Sequence, residues 1–172
     1  MRLADAIFQR IEQETDYTFF VPGGSCMFLV DALGRSEVKH ISALSEQGAG
    51  AMALGYAMAS GKLGVVLTIS GAGAVNAMMP CLAAWSDSVP VLFISGQART
   101  DTMNGNKQLR TQGLQPANIV PMVKPITKLS YQPETSGHDC MMALDKMITL
   151  CLSGRPGPCW LSVPQDLQAS EV

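Results

Sequence analysis

The spacing of apolar residues divides the chain into alternating helices and strands. Apolar positions at three- and four-residue spacing predict helices, which we expect at residues 3–11, from residue 46 onward, at 74–85 and at 139–152. Short runs rich in β-branched and aromatic residues predict strands, which we expect at residues 17–21, 38–41, 65–69, 89–94, 129–131 and 159–163. Uninterrupted apolar strands that alternate with helices predict an α/β fold, doubly wound, with a mainly parallel sheet and helices on both faces.

The segments between these elements differ in kind. Glycine turns follow the first and third strands directly, and Ser25 is placed to cap the next helix, residues 26–33. Residues 95–116 are rich in Gln, Asn, Thr, Gly and Arg without apolar periodicity, which predicts a long loop that is functional or mobile. Residues 166–172 are expected to begin an exit linker.

Composition restricts the class of protein. With 172 residues, 47% of them apolar and 15% charged, the chain suits one domain, residues 1–172, with a sizeable core. A net charge of −2 without a basic block disfavours nucleic acid as a partner, and no apolar run is long enough to span a membrane, so we expect a soluble, cytoplasmic protein. Five cysteines without a CxxC pair are expected to be reduced core thiols, and no metal site is assigned. The 11 methionines and the low surface charge suggest that some apolar surface is covered by association.

One carboxylate, Glu46, stands at the start of a helix made largely of glycine and alanine. In such a setting the charged form is poorly solvated unless a donor meets it, which is typical of a functional group. The alternative is an acid that stabilises its own helix through the helix dipole by about 0.3–1 kcal/mol. The third strand then leads into the turn at residues 70–73, and Asn76 offers an amide one helical turn later.

Two common chemistries have little support in the sequence. Gly71 and Gly73 do not form a complete GxGxxG dinucleotide fingerprint, and no acid follows a second strand at the required distance. Neither Ser25 nor Ser70 lies in a GxSxG motif, and the chain has only two histidines, so a hydrolase triad is disfavoured.

The same residues carry a family resemblance that extends over nearly the whole chain. Its sequence blocks are Val21-Pro22-Gly23-Gly24, Glu46-Gln47-Gly48-Ala49, Gly55-Tyr56-Ala57, Ser70-Gly71-Ala72-Gly73-Ala74-Val75-Asn76, Ser95-Gly96-Gln97 and Ser153-Gly154-Arg155-Pro156-Gly157-Pro158. In this order they resemble the N-terminal pyrimidine-binding (PYR) domain of thiamine-diphosphate-dependent enzymes. The resemblance is closest to the acetolactate synthase large subunit and acetolactate-synthase-like proteins.

The resemblance implies specific roles for individual residues. The glutamate matching Glu46 is catalytic in that family: it hydrogen-bonds the aminopyrimidine ring of thiamine diphosphate and favours the imino tautomer that removes the thiazolium proton. The resemblance also implies that Gln115 faces the substrate, a 2-oxo acid. The positions implied to bind the cofactor are Pro22, Gly23, Glu46, Gly71, Gly73 and Asn76.

The sequence departs from the family pattern at Ser45, Ala72 and Pro116, which puts acetolactate synthesis in question more than cofactor binding. The Gly-Asp-Gly block with which the family holds Mg²⁺ and the diphosphate does not occur in these 172 residues. The resemblance therefore implies a separate diphosphate-binding domain, in a longer chain or another subunit, and a homodimer, and it leaves FAD binding open. Two functions remain: half of a thiamine-diphosphate-dependent carboligase or decarboxylase, inactive alone, or a non-catalytic scaffold or regulatory domain with the same fold.

Overall fold

The computed structural model describes residues 1–103, 108, 110 and 117–172. Its helices are α1 (Leu3–Ile11), α2 (Met27–Arg35), α3 (Glu46–Ser60), α4 (Ala72–Asn76), α5 (Met78–Asp87), α6 (Thr100–Met103), α7 (Ile119–Val123), α8 (Gly137–Leu152) and α9 (Gln165–Gln168). Its strands are β1 (Tyr17–Phe20), β2 (Lys39–Ser42), β3 (Gly64–Thr68), β4 (Val91–Gln97), β5 (Leu129–Tyr131) and β6 (Cys159–Pro164). Short 3₁₀ turns lie at Gly24–Cys26 and Lys124–Ile126.

The strands form one sheet in the order β2-β1-β3-β4-β6-β5, and every pairing between them is parallel. The chain winds outward in one direction from β1 to β2 and in the other from β3 to β4. The order of winding therefore reverses between β1 and β3, which is the switch point of a doubly wound sheet. The predicted fold class is confirmed.

Two apolar layers cover the sheet, one on each face. The first layer joins α1, α2 and α8 to side chains such as Leu67, Ile94 and Leu161. The second joins α3, α5 and α7 to the alternate residues of the same strands, among them Val66 and Phe93. Because adjacent residues of a strand point to opposite faces, burying both faces requires the continuous apolar runs seen in the sequence.

Several predicted boundaries were wrong, each for a local reason. The predicted helix at 74–85 is two helices, α4 and α5, that meet at Ala77. Strand β4 continues through Gln97, so the first residues of the predicted loop at 95–116 are buried strand residues. Ser25 does not cap α2: its hydroxyl accepts a hydrogen bond from the Ser70 N–H instead.

The predicted exit linker is also packed structure. Leu167 and Gln168 of α9 are buried, and Arg2 forms an antiparallel bridge with Glu171. The Val172 N–H donates to the Met1 carbonyl at 2.9 Å. The first and last residues of the described chain therefore lie side by side.

Candidate functional site

A crevice lies at the carboxyl edge of the sheet, at the switch point between β1 and β3. The loop after β1 contains Pro22 and Gly23, and the turn after β3 runs from Ile69 to Gly73, the second residue of α4. A hydrogen bond of 2.8 Å from the Ser70 N–H to Ser25 Oγ ties the two together. In open α/β sheets this is the place where ligands bind, because loops on either side of the switch point leave a gap.

Glu46 reaches this edge from the first position of α3. Ser45 caps the helix, since its Oγ accepts a hydrogen bond from the Gly48 N–H at 3.1 Å. Serine at position 45, a departure from the family pattern, thus has a structural role of its own. The cap begins the helix at Glu46, which places the half-buried Glu46 side chain over the first turn of α4.

The two carboxylate oxygens of Glu46 have different neighbours. Oε2 accepts a hydrogen bond from Asn76 Nδ2 at 3.0 Å. Oε1 lies against Gly73, where an added Cβ would be only 2.6 Å away. The Asn76 amide therefore orients the carboxylate, and the missing side chain at Gly73 leaves room for Oε1.

Glycine is required at two positions of the turn for different reasons. Gly71 has φ 66° and ψ −132°, a conformation that residues with a side chain rarely adopt. Gly73 has no such backbone demand, but a Cβ there would clash with Ile69 Cγ1 at 2.4 Å as well as with Glu46. The turn thus brings its backbone close to the carboxylate.

Ile69 lies between the two sides of the crevice. Its Cγ2 would be 2.3 Å from a Cβ on Gly23, and its Cγ1 packs against Gly73. The side chain therefore fixes the spacing between the loop after β1 and the turn after β3. Sequence reasoning missed this role, because Ile69 continues the apolar run of a buried strand and carries no other signal.

Glu46 faces an open depression of about 530 Å³, lined by Glu46, Ile69, Ala72, Gly73, Val75 and Asn76. The expected apolar niche around Glu46 is one-sided. Ala49 is buried beneath the helix, whereas Ala51 and Met52 are exposed because they lie on its outward face. The carboxylate is therefore reachable from outside the chain.

A second cavity, of about 350 Å³, lies on the other side of Ile69. Polar side chains at or just after the ends of four strands line it, among them Ser25, Ser70, Gln97 and Gln165. Gln97 is buried, and its Nε2 donates to the Ala117 carbonyl at 2.9 Å. Sequence reasoning had placed Gln97 in a loop; the Ser95-Gly96-Gln97 block was the only signal for its position at this edge.

The structure brings Gly23, Glu46, Gly71, Gly73 and Asn76 to one edge of the sheet, with Pro22 exposed at the end of the loop after β1. Gln115, predicted to face the substrate, lies outside the described residues.

The thiol of Cys26 adjoins this edge without taking part in it. Burial raises the pKa of Cys26 to about 11, and the thiol donates to the Gly23 carbonyl at 3.4 Å. Burial likewise raises the pKa of Cys140 to about 12. All five cysteines are buried free thiols, as expected. A thiol whose pKa is raised by burial, such as that of Cys26 or Cys140, is neutral and a poor nucleophile. None of the helices in the described part of the chain has the length and apolarity needed to cross a bilayer.

Comparisons with known proteins agree on one family. Residues 1–121 match the family described as "Thiamine pyrophosphate enzyme, N-terminal TPP binding domain". The chain is 37% identical over 171 residues to the acetolactate synthase large subunit of Corynebacterium glutamicum, covering 98% of this chain and 26% of that protein. It is 38% identical over 162 residues to the acetolactate synthase large subunit of Lactococcus lactis, covering 94% and 27%.

A eukaryotic relative agrees with the bacterial ones. The mitochondrial acetolactate synthase catalytic subunit of Saccharomyces cerevisiae is 35% identical over 159 residues, which is 92% of this chain and 22% of that protein. The chain thus spans about a quarter of the length of these relatives. On the family match and these identities, the chain belongs to the family of N-terminal TPP-binding domains of thiamine pyrophosphate enzymes.

Proposed function

We propose that this chain, residues 1–172, is the PYR-type, pyrimidine-binding domain of an acetolactate-synthase-like enzyme that uses thiamine diphosphate to decarboxylate or join 2-oxo acids. Glu46 is its catalytic residue. The observation that carries the proposal is the arrangement of the Glu46 carboxylate, with Oε2 held by Asn76 and Oε1 placed against Gly73 at the switch point.

The residues at this edge fit the aminopyrimidine of thiamine diphosphate. Gly73 presents no side chain beside Oε1, so a flat heteroaromatic ring has access to that oxygen from the depression. Glu46 would share a proton at Oε1 with a ring nitrogen, while the amide of Asn76 keeps Oε2 from competing for it. Gly71 and Gly73 would offer backbone to one side of the ring, and Pro22 and Gly23 would bound the crevice on the other. When bound, the cofactor supplies an acidic carbon and an electron sink for breaking the bond next to a carbonyl group.

The diphosphate needs a partner that these residues do not offer. The described residues that line the depression include no lysine or arginine, and an unpaired buried diphosphate would be costly. We therefore assign Mg²⁺ and the diphosphate to a diphosphate-binding domain, in the same longer chain or another subunit, and expect residues 1–172 to be inactive alone. FAD is not needed for the proposed reaction, and none of the described residues is assigned to it.

An apolar surface next to the depression is suited to a partner. Met52 of α3, Val75 of α4, and Met79 and Leu82 of α5 are large apolar residues exposed on the same helical layer, and Val75 also lines the depression. Single exposed apolar residues are common, but adjacent ones on packed helices indicate an interface. We propose that this surface is covered in a homodimer and that covering it closes the open side of the Glu46 niche. The five free thiols agree with a cytoplasmic protein.

The decisive variant is Glu46→Gln in the complete enzyme. The amide cannot hold the shared proton, and general acid–base groups typically contribute about 10²–10⁴ in rate, so activity on a 2-oxo acid should fall at least 100-fold. The matched control is Glu37→Gln, since Glu37 is exposed and lies outside this edge. Full activity of Glu46→Gln would refute the catalytic proposal and favour a scaffold or regulatory domain.

A further inference from the structure

Gln168 of α9 is a fully buried polar residue, with 0% of its side chain exposed, far in sequence from the crevice. Its Nε2 donates to two backbone carbonyls, those of Ser25 and Val163, at 2.8 Å each. Its Oε1 has no hydrogen-bond partner among residues 1–103, 108, 110 and 117–172. Carbonyl groups only accept, so both neighbours fix the amide in this orientation, with its donors paired and its acceptor unpaired.

The same helical turn contacts two loops at this edge of the sheet. Gln165 Nε2 donates to the Gly24 carbonyl at 3.0 Å, on the loop after β1. Asp166 Oδ1 accepts a hydrogen bond from the Thr100 N–H at 3.0 Å, and its Oδ2 accepts one from the Thr100 hydroxyl. Thr100 begins α6, just after β4. One short helix therefore holds the loops that follow two different strands.

The contact with Ser25 connects α9 to the glycine turn. Gly96 of β4 packs so closely on the Ser25 backbone that an added Cβ would be 2.2 Å from the Ser25 carbonyl oxygen. The same carbonyl accepts from Gln168, and the Ser25 hydroxyl accepts from the Ser70 N–H at 2.8 Å. Ser70 directly precedes Gly71. A continuous series of contacts therefore runs from Gln168 through Ser25 to the turn that backs Glu46.

We propose that Gln165, Asp166 and Gln168 of α9 form a clasp for the crevice and that Gln168 is a positioning residue for it. Gln168 holds the Ser25 backbone, and Ser25 in turn holds the Ser70–Gly73 turn against the Glu46 carboxylate. The assignment of thiamine diphosphate as the ligand of this turn rests on the proposed function above. The mechanical part of the proposal, from Gln168 to Ser70, does not depend on any ligand.

Gln168→Met tests the mechanical part. Methionine has a similar size but no donors, and it also removes the unpaired Oε1. It leaves the Ser25 and Val163 carbonyls without this donor, which lowers stability, so protection of the sheet amides serves as the check that the fold persists. Without the Gln168 donors, the Ser70 amide should exchange its hydrogen at least 10-fold faster, measured by hydrogen exchange in the complete enzyme. This acceleration is measured relative to the amides of the β3–β4 ladder, which report any loss of global stability. The control is Leu167→Ala, which removes a buried side chain of the same helix but leaves the Gln168 amide in place; it should leave Ser70 protected relative to the ladder.

A second measurement tests the positioning role. Gln168→Met should weaken thiamine diphosphate binding about 10-fold in the presence of Mg²⁺ and lower kcat more than it raises KM for the 2-oxo acid, whereas Leu167→Ala should not. Unchanged Ser70 exchange in Gln168→Met, or equal acceleration in Leu167→Ala, would overturn the clasp. Faster Ser70 exchange with unchanged cofactor binding would overturn the positioning role. Failure of the unmodified enzyme to bind thiamine diphosphate would instead refute the proposed function.

Discussion

Gly73→Ala is the sharpest test of the geometry around Glu46. The new methyl group would be 2.4 Å from Ile69 Cγ1 and 2.6 Å from Glu46 Oε1. Carbon atoms in contact are about 3.5–4.0 Å apart, so Ile69 would have to move by more than about 1 Å. The carboxylate would have to move by about 0.7 Å to reach an ordinary carbon–oxygen distance of about 3.3 Å. Its 3.0 Å hydrogen bond from Asn76 would be stretched or lost.

These displacements set the expected loss of stability. Overpacking typically costs about 1–3 kcal/mol, and a lost hydrogen bond adds about 0.5–1.5 kcal/mol. Replacing glycine by alanine in a helix returns about 0.5–1 kcal/mol. Taking the middle of each range, we expect Gly73→Ala to lower the free energy of unfolding by about 2 kcal/mol, with an expected spread of about 1 kcal/mol on either side. With a urea m-value of about 2 kcal/mol/M, the unfolding midpoint would fall by about 0.5–1.5 M.

The control is Gly55→Ala, because an added Cβ on Gly55 of α3 would meet no atom within 4 Å. It should raise the unfolding midpoint slightly, by about 0.3–0.5 M, through the higher helix propensity of alanine. A second comparison is the double variant Ile69→Ala/Gly73→Ala, in which the smaller side chain makes room for the methyl group. Its destabilisation should be less than the sum of the two single variants. If Gly73→Ala is as stable as the unmodified protein, the described packing of Glu46 on Gly73 is wrong.

Three further predictions concern other parts of the chain. Lys128 Nζ donates to three backbone carbonyls at and just beyond the end of α8, so Lys128→Met should lower the free energy of unfolding in urea by about 1.5–3 kcal/mol. Lys146 is exposed, and Lys146→Met should leave the free energy of unfolding nearly unchanged. Folding raises the pKa of Cys26 to about 11, so the contribution of this thiol to stability is complete below about pH 9. The free energy of unfolding should fall by about 2 kcal/mol between about pH 9 and about pH 11, and Cys26→Ala should remove this loss from the pH dependence of unfolding. Met79 is 51% exposed on the proposed interface, and Met142 is 62% exposed on the opposite layer. Met79→Glu should therefore shift the protein toward monomer in light scattering, and an equal shift with Met142→Glu would count against the interface.

The sequence predicted the parts of the fold that depend on local pattern. Continuous apolar runs identified β3 and the first part of β4, and the spacing of apolar residues identified α1 and α8, because burial on one or both faces leaves its period in the sequence. The end of β4 was missed because Ser95 is a polar residue in a buried strand. Its hydroxyl accepts a hydrogen bond from Trp160 Nε1 at 3.0 Å, a partner 65 residues away.

Only part of the candidate site could likewise be predicted from the sequence. Gly71 was predictable because a glycine turn directly after a buried strand has few alternatives. The orientation of Glu46 was not, since it depends on Asn76, 30 residues later, and on the missing side chain at Gly73. The roles of Ser25 and Gln168 depend on a contact between residues 143 positions apart, which no local pattern encodes.

The neighbouring chain ends have an architectural consequence. Because Met1 and Val172 are hydrogen-bonded to each other, another polypeptide could be joined before the first residue, after the last, or on both sides from nearly the same point in space. Neither kind of fusion would pull on the sheet. In a longer protein, segments attached at residue 1 and at residue 172 would therefore leave the domain side by side, from the same part of its surface.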